Sequence, residues 1–264
     1  ILTGGAFMPT KIAIGLTALI AIAVLLVSRL LMPESIMWME VKGKVKEASK
    51  YLSSIKVKDE KYEEVNPSTG YALRFIFLVL IGVSQFLSYG LMAYILGPAE
   101  FPKLTAQILF VANLGASAAG FLGSFIANTF ERKAYLLFSF IGGLATIFLI
   151  LPFASVKSLS IFYLLLFLNM AFSEFAWIAR TVLEPELFPT ANRAKMIGLV
   201  RVIAYGSYMA SIFLTFSFTV SQFIYYNIGL WALGVAGSML WYFKGFETHK
   251  RSLRKLDYEL LKGK

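Results

Sequence analysis

Seven long apolar runs constrain this chain more than any other feature: Ile12–Met32, Phe75–Leu96, Leu104–Phe130, Ala134–Phe153, Leu159–Leu183, Met196–Phe218 and Phe223–Phe243. About 20 predominantly apolar residues cross a bilayer as a helix, and in lipid every backbone polar group must be satisfied within the segment. The runs are too long for strands. They predict an all-α membrane protein with seven transmembrane helices, most of them joined by short loops and therefore antiparallel to their neighbours. The composition agrees, with 58% hydrophobic and 15% charged residues. A soluble chain has about 45–50% apolar and about 25% charged residues. A disordered chain, a nucleic-acid-binding domain and an ordinary soluble enzyme are excluded. The first run is too long, and lacks the small-residue cleavage site, to be a signal peptide.

Orientation follows from where the cations fall. One side of the alternating topology collects 21 of the 25 Lys and Arg residues, and Lys11, Lys103 and Lys157 flank the other. The polar stretch Pro33–Gly70 and the C-terminus are therefore expected to be cytoplasmic, in an integral, multi-pass plasma-membrane protein. That stretch reads as a solvated hinge, with seven Lys balanced by seven acids and an amphipathic helix near Val45–Leu52. The net charge of +10 is a one-sided topology signal, which leaves no nucleic-acid partner but does predict contact with membrane lipid.

An ionisable group inside a span is a functional candidate. Two stand out, Glu174 and Arg201, at depths of roughly 13 Å and roughly 10 Å from the cytoplasmic ends at the helical rise per residue. These depths allow an ion pair, which would be either a solute or proton site or a structural bridge. Neutral polar residues add a pattern. Gln85, Ser88 and Tyr89 share a face of the second span, and Asn113 lies on the third. Asn169 lies on the fifth, and Tyr205 and Tyr208 follow Arg201 on the sixth. The second, third, fifth and sixth spans are expected to line a cavity, with the fourth and seventh, which carry no interior charge, facing lipid. Gly115, Ala119 and Gly123 form a small-residue stripe that lets helices approach closely.

Catalytic chemistry has little to work with. There is no cysteine, His249 is the single histidine, and no phosphate-binding Gly-rich loop is present. No catalytic residue, metal or cofactor is expected.

Four loop segments carry a resemblance. Pro33-Glu34-Ser35-Ile36-Met37-Trp38, with Lys42-Gly43-Lys44 after it, resembles the stretch after the sixth span of sugar-porter-type major facilitator transporters. Asn128-Thr129-Phe130-Glu131-Arg132-Lys133 is similar to the facilitator D-R-x-G-R-K/R loop, with Asn128 for Asp and Glu131 for Gly. Glu186-Leu187-Phe188-Pro189-Thr190-Ala191-Asn192-Arg193 resembles the E-L-F/Y-P-T-x-x-R signature of sugar and organic-ion porters, and Glu247-Thr248-His249-Lys250-Arg251-Ser252-Leu253 resembles the family tail.

The resemblance implies that residues 1–32 are the sixth span of a twelve-helix transporter and 33–70 its cytoplasmic inter-domain loop. It makes 71–246 the C-terminal six-helix bundle, a 3+3 inverted repeat, and 247–264 the cytoplasmic tail. A missing N-terminal half is the implied partner, and the first residue, Ile1, fits a fragment. The implied function is secondary active transport of a small polar solute, a sugar or an organic ion, by alternating access, with proton coupling as one expected mode. Gln85, Ser88, Tyr89, Asn113, Asn169, Glu174, Arg201, Tyr205 and Tyr208 would hold the solute. Glu34, Arg132, Lys133, Glu186, Arg193 and Glu247 would form the cytoplasmic latch. Ser84-Gln85-Phe86-Leu87-Ser88-Tyr89-Gly90 keeps one Gln of the sugar-porter element and lacks its Asn, so the solute class stays open. The alternatives are a seven-helix receptor or scaffold and, further off, an intramembrane enzyme.

Overall fold

The structure is a computed structural model that describes residues 7–31, 44, 46, 49–50, 69–127, 129–153, 158–251, 256 and 258–260. The chain divides into two compact units, Ile1–Glu63 and Glu64–Lys264. Among the described residues the first unit holds helix α1, Phe7–Leu31, over the first apolar run. Glu34, Asn128 and most of the stretch Val45–Leu52 lie outside the described residues.

The second unit is built entirely of helices among its described residues. Helix α2, Tyr71–Gly90, runs on through one π-helical turn, Leu91–Ile95, and a last α turn, Leu96–Glu100. Then follow α3, Thr105–Ile126, α4, Arg132–Ile150, α5, Leu159–Glu186, α6, Thr190–Thr215, and α7, Val220–Lys244. By length and apolarity, six helices among the described residues are able to cross a membrane, and they are α2–α7. Their ends have local causes. Thr219 and Gln222 form a reciprocal capping box at the start of α7. Pro185 is tolerated in the last turn of α5, and Pro189, which has no N–H, sits immediately before α6.

Helix α5 packs on α3 and α4, α7 packs on α2 and α4, and α2 also packs on α6 and α5. Neither the fourth nor the seventh span lines the cavity described below, and each keeps an exposed apolar side, with Phe138, Ile141 and Phe148 on α4 and Tyr225, Met239 and Phe243 on α7. Helices α4 and α7 pack against each other, with Trp231 fully buried against Phe140 at 5.9 Å between ring centroids. Gly143 makes this possible, because a Cβ there would run into the Trp231 ring. Ser84 Oγ donates to the Leu230 carbonyl at 2.6 Å and ties α2 to α7. The small-residue stripe on α3 marks a contact. A Cβ on Gly115 would collide with the backbone carbonyl of Phe167 in α5, and one on Gly123 with Ile178.

Candidate functional site

A cavity of about 330 Å³ opens among α2, α5 and α6. Gln85, Phe86, Tyr89 and Gly90 reach it from α2, and Tyr94 from the π turn. Glu174 and Trp177 reach it from α5, and Tyr208 from α6. Gly90 is required here, because a Cβ would stand 2.5 Å from Cε2 of Tyr208. The π turn inserts an extra residue, and such turns gather at functional positions in helices. It brings the Tyr94 ring within 5.8 Å of the Tyr89 ring.

Four of the sequence-predicted residues, Gln85, Tyr89, Glu174 and Tyr208, line this one cavity. Asn113 stands behind it. Its Oδ1 accepts from the Tyr89 hydroxyl at 3.3 Å, and its own Nδ2 donates to the Leu109 carbonyl at 2.7 Å. Tyr205 packs edge-on against Phe86, 4.5 Å between centroids. The other three lie in helix contacts. Ser88 is fully buried, its Oγ donating to the Gln85 carbonyl at 3.2 Å while its own carbonyl accepts from Asn227 of α7 at 3.3 Å. Asn169 clips α5 to α4, with Nδ2 donating to the Gly143 carbonyl and to Thr146 Oγ1, each at 2.9 Å.

Arg201 pairs with Glu184, not Glu174: its Nη2 donates to Glu184 Oε2 at 3.0 Å. The long side chain reaches back toward the charged end of the bundle, as long cationic side chains near a membrane interface do. Glu184 also pairs with Arg180 at 3.1 Å, and both of these side chains are almost wholly buried. The Arg180 guanidinium lies over the Trp177 ring at 4.6 Å. The triad Arg180–Glu184–Arg201 was not anticipated. Its one sequence signal is the opposite charges of Arg180 and Glu184 at i, i+4.

Three of the motif-bearing segments, those of Arg132, Glu186 and Glu247, meet at that same end. Arg132 Nε lies 3.7 Å from Glu186 Oε1, and Thr248 donates to Glu186 Oε2 at 2.6 Å. Glu247 caps the N-terminus of α4, taking the backbone N–H of Arg132 at 3.0 Å and of Lys133 at 3.2 Å. Its Oε1 also accepts from the N–H groups of Thr248 and His249, at 2.9 and 2.8 Å. Lys133 Nζ donates to the Gly245 carbonyl at 3.0 Å. Arg193 Nε donates to the Phe188 carbonyl at 3.2 Å and fastens the start of α6 to the preceding loop. Arg74, which no motif flagged, ties the start of α2 to that loop through the Leu187 carbonyl at 3.3 Å. Burial, reinforced by Arg132 and Lys250, holds the His249 imidazole below its ordinary pKa, so the ring is neutral at pH 7.

Six membrane-length helices, a polar and aromatic cavity among three of them and a cross-linked charged end define the fold of a multi-pass integral membrane protein. Residues 9–260 match the family described as Sugar (and other) transporter. The chain belongs to that family of membrane solute transporters. No curated protein and no solved structure matches it.

Proposed function

We propose that α2–α7 form one half of a secondary transporter that moves a small polar solute by alternating access, with the cavity among α2, α5 and α6 as its solute site. The observation that carries this reading is the cavity itself, where Gln85 and Glu174 present polar groups in the membrane interior of a transporter-family chain. Gln85, Tyr89, Glu174 and Tyr208 hold the solute, with Asn113 and Tyr205 behind them.

A 3+3 arrangement is supported by the helix contacts. They map onto themselves when α2 exchanges with α5, α3 with α6 and α4 with α7. A second bundle completes the site by covering α6. Only 17% of the apolar stretch of that helix is buried, against 61% for α2, and Val202, Met209 and Phe213 are among its exposed side chains. The charged end, carrying Arg132, Lys133, Glu186, Arg193 and Glu247, is the cytoplasmic latch in a plasma-membrane protein, consistent with the one-sided cations.

Two readouts on the transporter containing this chain test the proposal. Vesicles carrying it should accumulate at least one labelled solute from a panel of sugars, amines and carboxylates, and uptake of none would remove the reading. Glu186→Gln should weaken the latch by about 1 kcal/mol, a roughly fivefold population shift toward the cytoplasm-open form. Spin-label distances across the charged end should lengthen accordingly, and an unchanged distance distribution would remove the latch.

A further inference from the structure

We propose that the solute is a monovalent organic cation, an amine or a quaternary ammonium. This assignment rests on the transporter reading and narrows it to a substrate class.

The cavity wall is aromatic on three sides, with Phe86, Tyr89 and Tyr94 from α2, Trp177 from α5 and Tyr208 from α6. Ring faces attract a cation through their quadrupole, Trp most strongly, and a cage of such rings is how ammonium groups are recognised when water is excluded. The polar groups among the rings have the complementary sign. Gln85 is only 2% exposed, yet its Oε1 has no hydrogen-bond partner. A buried acceptor left unpaired costs free energy until a donor or a positive charge meets it. Glu174 lines the same cavity and has no ion pair or hydrogen bond among the described residues.

No Lys, Arg or His lines the cavity. The guanidinium of Arg180, which stacks on Trp177, is committed to Glu184. An anion would find no positive group there. A sugar would find acceptors and rings but would leave a bare carboxylate facing it. A cation satisfies the rings, the amide oxygen and the carboxylate together.

The test is binding by the transporter containing this chain in lipid nanodiscs, read by the part of its tryptophan fluorescence that Trp177 supplies. Choline is compared with 3,3-dimethylbutan-1-ol, which has the same shape but no charge. Choline should quench saturably, and the neutral alcohol should bind at least about tenfold more weakly. Glu174→Gln should weaken choline binding by about tenfold or more, and Trp177→Leu should abolish the fluorescence response. Equal binding of the two compounds to the unaltered transporter would overturn the assignment without any variant having to fold. So would the absence of saturable choline binding, or undiminished affinity in a folded Glu174→Gln protein. Uptake of a sugar or a carboxylate without choline binding would remove the cation and leave the transporter standing. Absence of uptake for every solute would remove the transporter reading itself.

Discussion

Glu184→Gln is expected to destabilise the six-helix unit by about 3 kcal/mol, measured by unfolding in detergent or nanodiscs. The reason is an asymmetry between the two arginines that Glu184 serves. Arg180 is 2% exposed, packs beside Gly82 of α2 and pairs with no other carboxylate among the described residues. Taking away the carboxylate leaves a guanidinium stranded in a low-dielectric interior, the costly way to break a buried pair. Arg201 is different, because its side chain is 48% exposed in this unit and reaches toward the charged end of the bundle. Arg201→Gln should therefore cost under about 1 kcal/mol. Equal losses from the two variants would show that the triad is not anchored on Arg180. A loss confined to Arg201→Gln would reverse the assignment of which cation needs its partner.

The second large effect is expected at Glu247. One carboxylate accepts four backbone N–H groups, from Arg132 and Lys133 at the start of α4 and from Thr248 and His249 in its own segment. A helix N-terminus has unpaired donors and a partial positive charge, and both favour an anion there. Glu247→Ala leaves all four donors without this acceptor and should cost about 2 kcal/mol. Hydrogen exchange should localise the change, with faster exchange at the first turn of α4 and at residues 247–249 and unchanged exchange in the middle of α7. A stability change under about 0.5 kcal/mol with no local acceleration would contradict the capping role. Because Thr248 also holds Glu186, loss of the cap is expected to loosen the Arg132–Glu186 contact as well.

Much of this architecture is legible in the residues, and the failures have physical causes. Apolar run length located every helix of the bundle, because a spanning helix must be about as long as the bilayer is thick. The motif-bearing loops were legible as a group, and Arg132, Glu186 and Glu247 do meet at one end. Gln85 and Tyr89 were legible as a cavity face by helical spacing. Ser88 follows the same spacing but falls on the α7 side, because a three-residue step turns far enough to cross from cavity to helix contact. Tyr94 was missed for the opposite reason. Regular α periodicity carries it away from Tyr89, and the π turn brings it back. Matching the depths of Glu174 and Arg201 ignored the reach of an arginine side chain, which runs along the helix to Glu184. Asn169 was read as cavity-lining from polarity alone, although its amide is consumed between α4 and α5.

The central claim is that the cavity among α2, α5 and α6 is a solute site opened to each side of the membrane in turn. These 264 residues contain no cysteine, so Tyr94→Cys introduces a thiol into the cavity wall with no other thiol in this segment. The measurement is the rate of its reaction with a membrane-impermeant maleimide, applied to right-side-out and to inside-out vesicles of cells expressing the transporter. Reaction from both sides, slowed from both sides by choline, is the result predicted. Reaction from one side only, or rates that no solute changes, would contradict it.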